Sequence, residues 1–284
     1  MNLKLGFDLV KTAIRNWIDD YAPSMGAALS YYTVFSMAPL LIIAIAIAAI
    51  VFDQQTAQQQ LLDQIRGLIG DQGAHAIEAM LQNAQKPKQG ALASILGIVT
   101  LVIGATGVFS ELESDLNRIW KVQGPETKGI WHLLRARVLS LGMVLAIGFL
   151  LLVSLIISAA LAAWGKYWSG LFFGIEALLH AANFVASLLV ITVLFALMYK
   201  ILPSVKIAWR HVWLGAGVTA LLFALGKFLN GLYIGKSSIA SSYGAAGALV
   251  VLLVWVYFSA QIFLLGAEFT RAYAGARSPR KAPV

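Results

Sequence analysis

Residues 243–273 read YGAAGALVVLLVWVYFSAQIFLLGAEFTRAY, and this stretch decides the fold. From Gly244 to Ala267 it carries no charge. A helix of that length crosses the roughly 30 Å hydrocarbon core of a bilayer. The run is not uniformly apolar. Tyr257, Gln261 and Glu268 recur at i, i+4 and i+11, which sets them within about 40° of one another around a helix. Tyr243 lies near the same line. Polar groups facing lipid without partners are costly, so the stripe is expected to face other helices or a wet cavity. Two readings stay open: the stripe glues this helix to its neighbours, or it lines a path for a substrate.

The rest of the chain fits a membrane setting. Of 284 residues, 60% are hydrophobic and 12% charged, with a mean hydropathy of +0.79. A soluble domain would carry about a quarter charged residues. The formal charge of +8 would point to nucleic acid in a soluble protein; here the bias of basic residues towards cytoplasmic loops is the first explanation. There is no cysteine, which excludes disulfides, thiolate metal sites and cysteine nucleophiles.

Working outward, six spans are expected, at about 28–52, 91–110, 138–163, 180–202, 211–230 and 244–270. Leu3, Phe7, Val10, Ile14 and Trp17 recur at spacings of three and four ahead of the first span. They mark an amphipathic helix lying on the membrane surface or packed under the bundle, and no cleavable signal is evident. Tyr31 and Tyr32 fall where an interfacial aromatic belt belongs, and Pro39 predicts a kink near Phe35–Ser36. Residues 53–90 are polar and Gln-rich, with Gly70–Gly73 between two amphipathic patterns. They read as a two-helix hairpin outside the membrane. Assigned to sides, 15 of the 21 Lys and Arg residues lie with the termini and 6 opposite. That orientation puts both termini in the cytoplasm and 53–90 in the periplasm.

No catalytic motif stands out. The four histidines, His75, His132, His180 and His211, form no metal-binding spacing, and no phosphate-binding glycine loop occurs. No metal and no cofactor are expected. Glu111, Asp115 and Arg118 share one helical face just past the second span. If the second and sixth spans are neighbours, these residues would meet Glu268 at the cytoplasmic mouth. An ion-pair collar, a proton-responsive gate and a carboxylate two-metal nuclease centre are the three readings of that cluster.

The segments ALSYYTVFSMAPLL (28–41), GATGVFSELESDLNRIW (104–120), RARVLSLGMVLAIGFLLLVSL (135–155), the span end at Leu202-Pro203 and SSIASSYGAAGALVVLLVWVYFSAQIFLLGAEFTRAYA (237–274) resemble the YihY/BrkB family of bacterial inner-membrane proteins, formerly labelled ribonuclease BN. Asn117 and Trp120 are among the matching positions. The resemblance implies a six-span inner-membrane protein, with proposed roles in moving lipid-like molecules or in resistance to host killing, and brings no agreed catalytic set. The function expected is a transporter of a lipid or other amphipathic envelope molecule, with membrane lipid as partner and no nucleic acid. The alternatives are a structural or docking protein, with an envelope partner on 53–90, and the ribonuclease of the old label. Self-association as a homo-oligomer stays open.

Overall fold

The computed structural model describes residues 3–49, 53–85, 107–122, 175–236 and 247–277, with isolated helical positions between 142 and 156. The described secondary structure is helical throughout. In chain order the helices are α1 (Leu3–Asp19), α2 (Ala22–Ala48), α3 (Gln54–Gln85), α4 (residues 107–119), α5 (Ile175–Ile201), α6 (Trp209–Lys236) and α7 (Gly247–Arg277). The expected spans 91–110 and 138–163 lie almost wholly outside the described residues.

Three helices are long and apolar enough to cross a membrane: Ala181–Ile201, Trp209–Leu229 and Leu249–Arg277. A fourth crossing arises if Ala22–Ala38 and Leu40–Ala46 count as one bent span. The 43° bend falls at Pro39, the residue that removes a backbone donor and crowds the preceding turn. The other three match the runs read at 180–202, 211–230 and 244–270, with the last extended to Arg277. In lipid a backbone must satisfy its own polar groups, so such runs have little choice but helix.

Helix α7 is the hub. It packs against α6, α2, α1 and α3, and α5 packs on α6. Glycines set the closest approaches. A Cβ at Gly266 would stand 1.9 Å from Thr219 Oγ1 on α6, and one at Gly26 on α2 would stand 1.9 Å from Gln261 Nε2. Bare backbone at these points lets helices meet where there is no hydrophobic drive to hold them together.

Helix α1 uses two faces. Leu9 and Ala13 are buried against Phe269 and Tyr273 of α7. Phe7, Val10, Ile14 and Ile18 point away from the bundle. Trp17, read from spacing as part of that outward stripe, instead packs on the core.

The segment read as two separate helices differs in detail. Helical structure is continuous from Gln54–Gln85, passing through Gly70–Gly73 without a gap. A glycine inside a helix costs only about 1 kcal/mol, which packing outweighs. Its ends still come together, since Ala57 and Leu81 share one cluster with Ile45. On a straight helix these 24 residues would span about 36 Å. The run therefore bends back on itself, joined by a bend and not by a separate turn. Its apolar residues pack on α2 and α7, with Ile77 among Val34, Leu252 and Val256.

Candidate functional site

Two short joints build the site. Between α1 and α2 the chain turns at Asp20–Tyr21, where Tyr21 adopts a left-handed φ of 59°. Pro23 then sits in the first turn of α2, where its missing N–H has no helical partner to lose. At the end of α4, Lys121 is also left-handed, with φ 51°, and Val122 N–H donates back to Asn117 O at 2.9 Å. This is the usual way a helix closes its last carbonyls. It throws the Lys121 side chain clear of the helix, and its ammonium pairs with Asp20 Oδ1.

Asp20 is buried at 5% exposure. Its second oxygen lies 3.5 Å from Arg271 Nη1, and the same nitrogen lies 3.6 Å from Glu268 Oε2. Asp20 and Asn16 face Glu268 across the elbow. Glu268 is fully buried, yet neither carboxylate oxygen makes a hydrogen bond among the described residues. Two carboxylates and two cations balance in charge. Removing one member would leave a buried charge uncompensated.

Two turns back along α7, Gln261 Nε2 donates to Ala22 O at 3.4 Å, while its Oε1 is buried without a partner. On α1 the Trp17 indole N–H is likewise buried and unpaired. Unpaired acceptors on Gln261 and Glu268 and an unpaired donor on Trp17 thus occur on the elements that form the α1–α2 elbow. Unmade hydrogen bonds of this kind each cost about 1–3 kcal/mol.

The residues singled out from sequence divide. Gln261 and Glu268 turn inward to the elbow. Tyr257 is half-buried and meets Phe258 edge-on at 5.7 Å, with no tie to the elbow. Tyr31 is 59% exposed and Tyr32 is exposed too, stacked edge-on at 5.7 Å, so both face outward as a belt would and line no inner path. Tyr243 lies outside the described residues, and Pro39 acts through the bend in α2.

The cytoplasmic cluster also divides, because helix packing makes two groups where sequence proximity had one. Asp115 is buried beside Glu111 and Arg118. Burial first, then the Glu111 charge, pushes its carboxyl up to about 7, against the pull of Arg118. Glu268 meets Asp20, Arg271 and Asn16 instead. Asn117 serves as a tie. Its Oδ1 accepts from Ser204 N–H at 2.7 Å and its Nδ2 donates to Ser204 Oγ at 3.2 Å, fixing α4 to the α5–α6 joint.

Asp20, Lys121 and Arg271 escaped the sequence reading. Arg271 carried a usable signal, since it follows Glu268 by three residues on one face. Asp20 and Lys121 carried none, because each sits at a helix end that only the packing brings into place. Among the described residues no group of three or more His, Cys, Asp or Glu is placed to hold a metal ion.

Among curated proteins, a UPF0761 membrane protein of Alcanivorax borkumensis is 32% identical over 266 residues, covering 91% of this chain and 58% of the relative. One of Azotobacter vinelandii is 30% identical over 281 residues, covering 98% and 66%. One of Actinobacillus pleuropneumoniae is 28% identical over 266 residues, covering 92% and 91%. The chain thus spans under two thirds of the first two relatives and nearly all of the third. No solved structure matches. The family model described as Virulence factor BrkB matches residues 13–283, and the chain belongs to that family of membrane proteins.

Proposed function

We propose that this is a six-span protein of the bacterial inner membrane that moves a lipid or other amphipathic envelope molecule. In this reading both termini are cytoplasmic and 53–90 is periplasmic. The observation that carries it is the unsatisfied polar face of α7 at the elbow. A stripe that only glued helices would be expected to pair its atoms, since an unpaired buried carboxylate is among the costliest groups a fold can hold. Gln261 Oε1 and both oxygens of Glu268 are left open instead. Open acceptors offer hydrogen bonds to the hydroxyl, amide or ammonium of a headgroup. The gathering at one end of α1, the α4 terminus, the α5–α6 joint and the end of α7 supports the topology, because the basic residues assigned to one side lie on these parts.

Reconstitution into liposomes with fluorescent phospholipid tests this. The wild type should move label faster than empty vesicles, and Glu268→Gln should lower that rate at least ten-fold while the protein stays folded. Equal rates in wild-type and empty vesicles, for phospholipid and for a lipid A precursor alike, would sink the proposal.

A second reading is favoured by α3. It packs through Ala57, Ile77 and Leu81 and leaves Asp63, Asp71 and His75 exposed. A docking role predicts that deleting 54–85 leaves a folded bundle that no longer retains an envelope partner.

A further inference from the structure

A shallow notch of about 170 Å³ opens between α6 and α7, lined by Phe223, Gly226, Lys227, Trp255, Ser259 and Ile262. It is separate from the elbow. Phe223 and Trp255 meet edge-on at 6.2 Å and form an aromatic wall. Gly226 keeps it shallow, since a Cβ there would stand 2.4 Å from Ile262 Cδ1. Ser259 Oγ donates to Trp255 O at 2.9 Å, so its oxygen presents lone pairs and the wall stays mostly apolar. Lys227 is exposed, and no acidic side chain pairs with it among the described residues.

Depth decides what this notch suits. Exposed Trp209 and Trp213 open α6 beside Lys206 and Arg210, as residues at a membrane surface do. Lys227 follows Trp209 by 18 residues, or about 27 Å of helix. That nearly equals the hydrocarbon thickness, so its ammonium reaches the opposite headgroup layer. The neighbouring face of α6, with Leu221, Leu225, Phe228 and Leu229 exposed, is a lipid face.

We propose that this notch seats one anionic phospholipid, its phosphate on Lys227 and one acyl chain along Phe223, Trp255 and Ile262. A cation at headgroup depth above an apolar slot that opens to the bilayer matches that ligand in charge, shape and position. The inference rests on the lipid reading above for its ligand class. It adds a seat in the leaflet opposite the elbow.

The test is equilibrium binding in nanodiscs, read by spin-labelled phosphatidylglycerol and phosphatidylcholine. The wild type should immobilise phosphatidylglycerol preferentially. Lys227→Gln should lower that preference about five-fold, the effect of one basic residue near an anionic surface. Lys227→Arg should keep it, and Lys206→Gln, at the other face, should leave it unchanged. Loss of preference in Lys206→Gln to the same degree, or retention in Lys227→Gln, overturns the seat. Displacement by inorganic phosphate would show a free-anion site and also overturn it. Because no movement is measured, a protein that fails the flux test can still pass this one, and the reverse.

Discussion

Two faces of α7 carry polar groups into the same bundle, and they are built in opposite ways. Towards α5 and α6, Tyr199 is fully buried, donates to Phe263 O at 2.7 Å and lies 3.0 Å from Thr219 Oγ1. Thr219 Oγ1 donates in turn to Gly215 O at 2.8 Å, and Thr270 Oγ1 donates to Gly266 O at 2.7 Å. Every hydroxyl on that face has a partner and small residues close the gaps. Towards α1 and α2, Gln261 and Glu268 have acceptors to spare. One helix thus holds a finished polar interface and an unfinished one. The finished face does the work of helix association. The unfinished face is where a ligand has something to gain.

The sharpest attack on this contrast is Arg271→Met. It leaves Glu268 without its cation and weakens the hold on Asp20. We expect a loss of about 3–5 kcal/mol, read as thermal unfolding in detergent. A loss under 1 kcal/mol would mean the elbow is wet and loosely held.

Asp115 extends the comparison to a third polar position at the same end. Its carboxyl is pushed up to about 7 in the folded protein, while an unfolded chain releases that proton near the model value of 3.8. Folding stability should therefore fall as pH rises from about 4 to about 7 and level off above. The total is at most about 4 kcal/mol, since each pKa unit is worth about 1.4 kcal/mol. Asp115→Asn should flatten that fall and be the more stable form at pH 8. An unchanged pH profile would place Asp115 in contact with water.

On the satisfied face, Tyr199→Phe removes the donor to Phe263 O and should cost about 1–2 kcal/mol without altering any flux the wild type shows. The smallest stability effect should come from Gln261→Leu, which deletes an unpaired oxygen together with one long hydrogen bond. A change within about 0.5 kcal/mol, coupled to reduced flux, is the expected outcome. If Gln261→Leu destabilises more than Tyr199→Phe, the two faces do not differ as described.

Much of this architecture was readable from single segments. The bend at Pro39, the runs at 180–202, 211–230 and 244–270, and the inward turn of Gln261 and Glu268 follow from properties local to one helix. The readings that changed involved more than one. Trp17 left the outward stripe because α1 packs beside α7. The glycines at 70–73 failed to interrupt α3 because packing on α2 and α7 holds the helical run together. Asp115 did not join Glu268, because α4 turns that residue towards Glu111 and Arg118 and delivers Lys121 to the elbow instead.

The sequence by itself determined that this is a helical membrane protein and which face of its last helix is polar. Lipid offers a backbone no hydrogen bonds, and a period of 3.6 residues places the polar side chains on one line. Only the tertiary structure decided what that line meets. Asp20 and Lys121 lie 101 residues apart and join through two left-handed joints, at Tyr21 and Lys121, that no periodicity encodes. The same packing left Gln261 and Glu268 open on one side of α7 and closed the Tyr199 network on the other. Which polar atoms find partners depends on how helices cross, and a single helix does not carry that information.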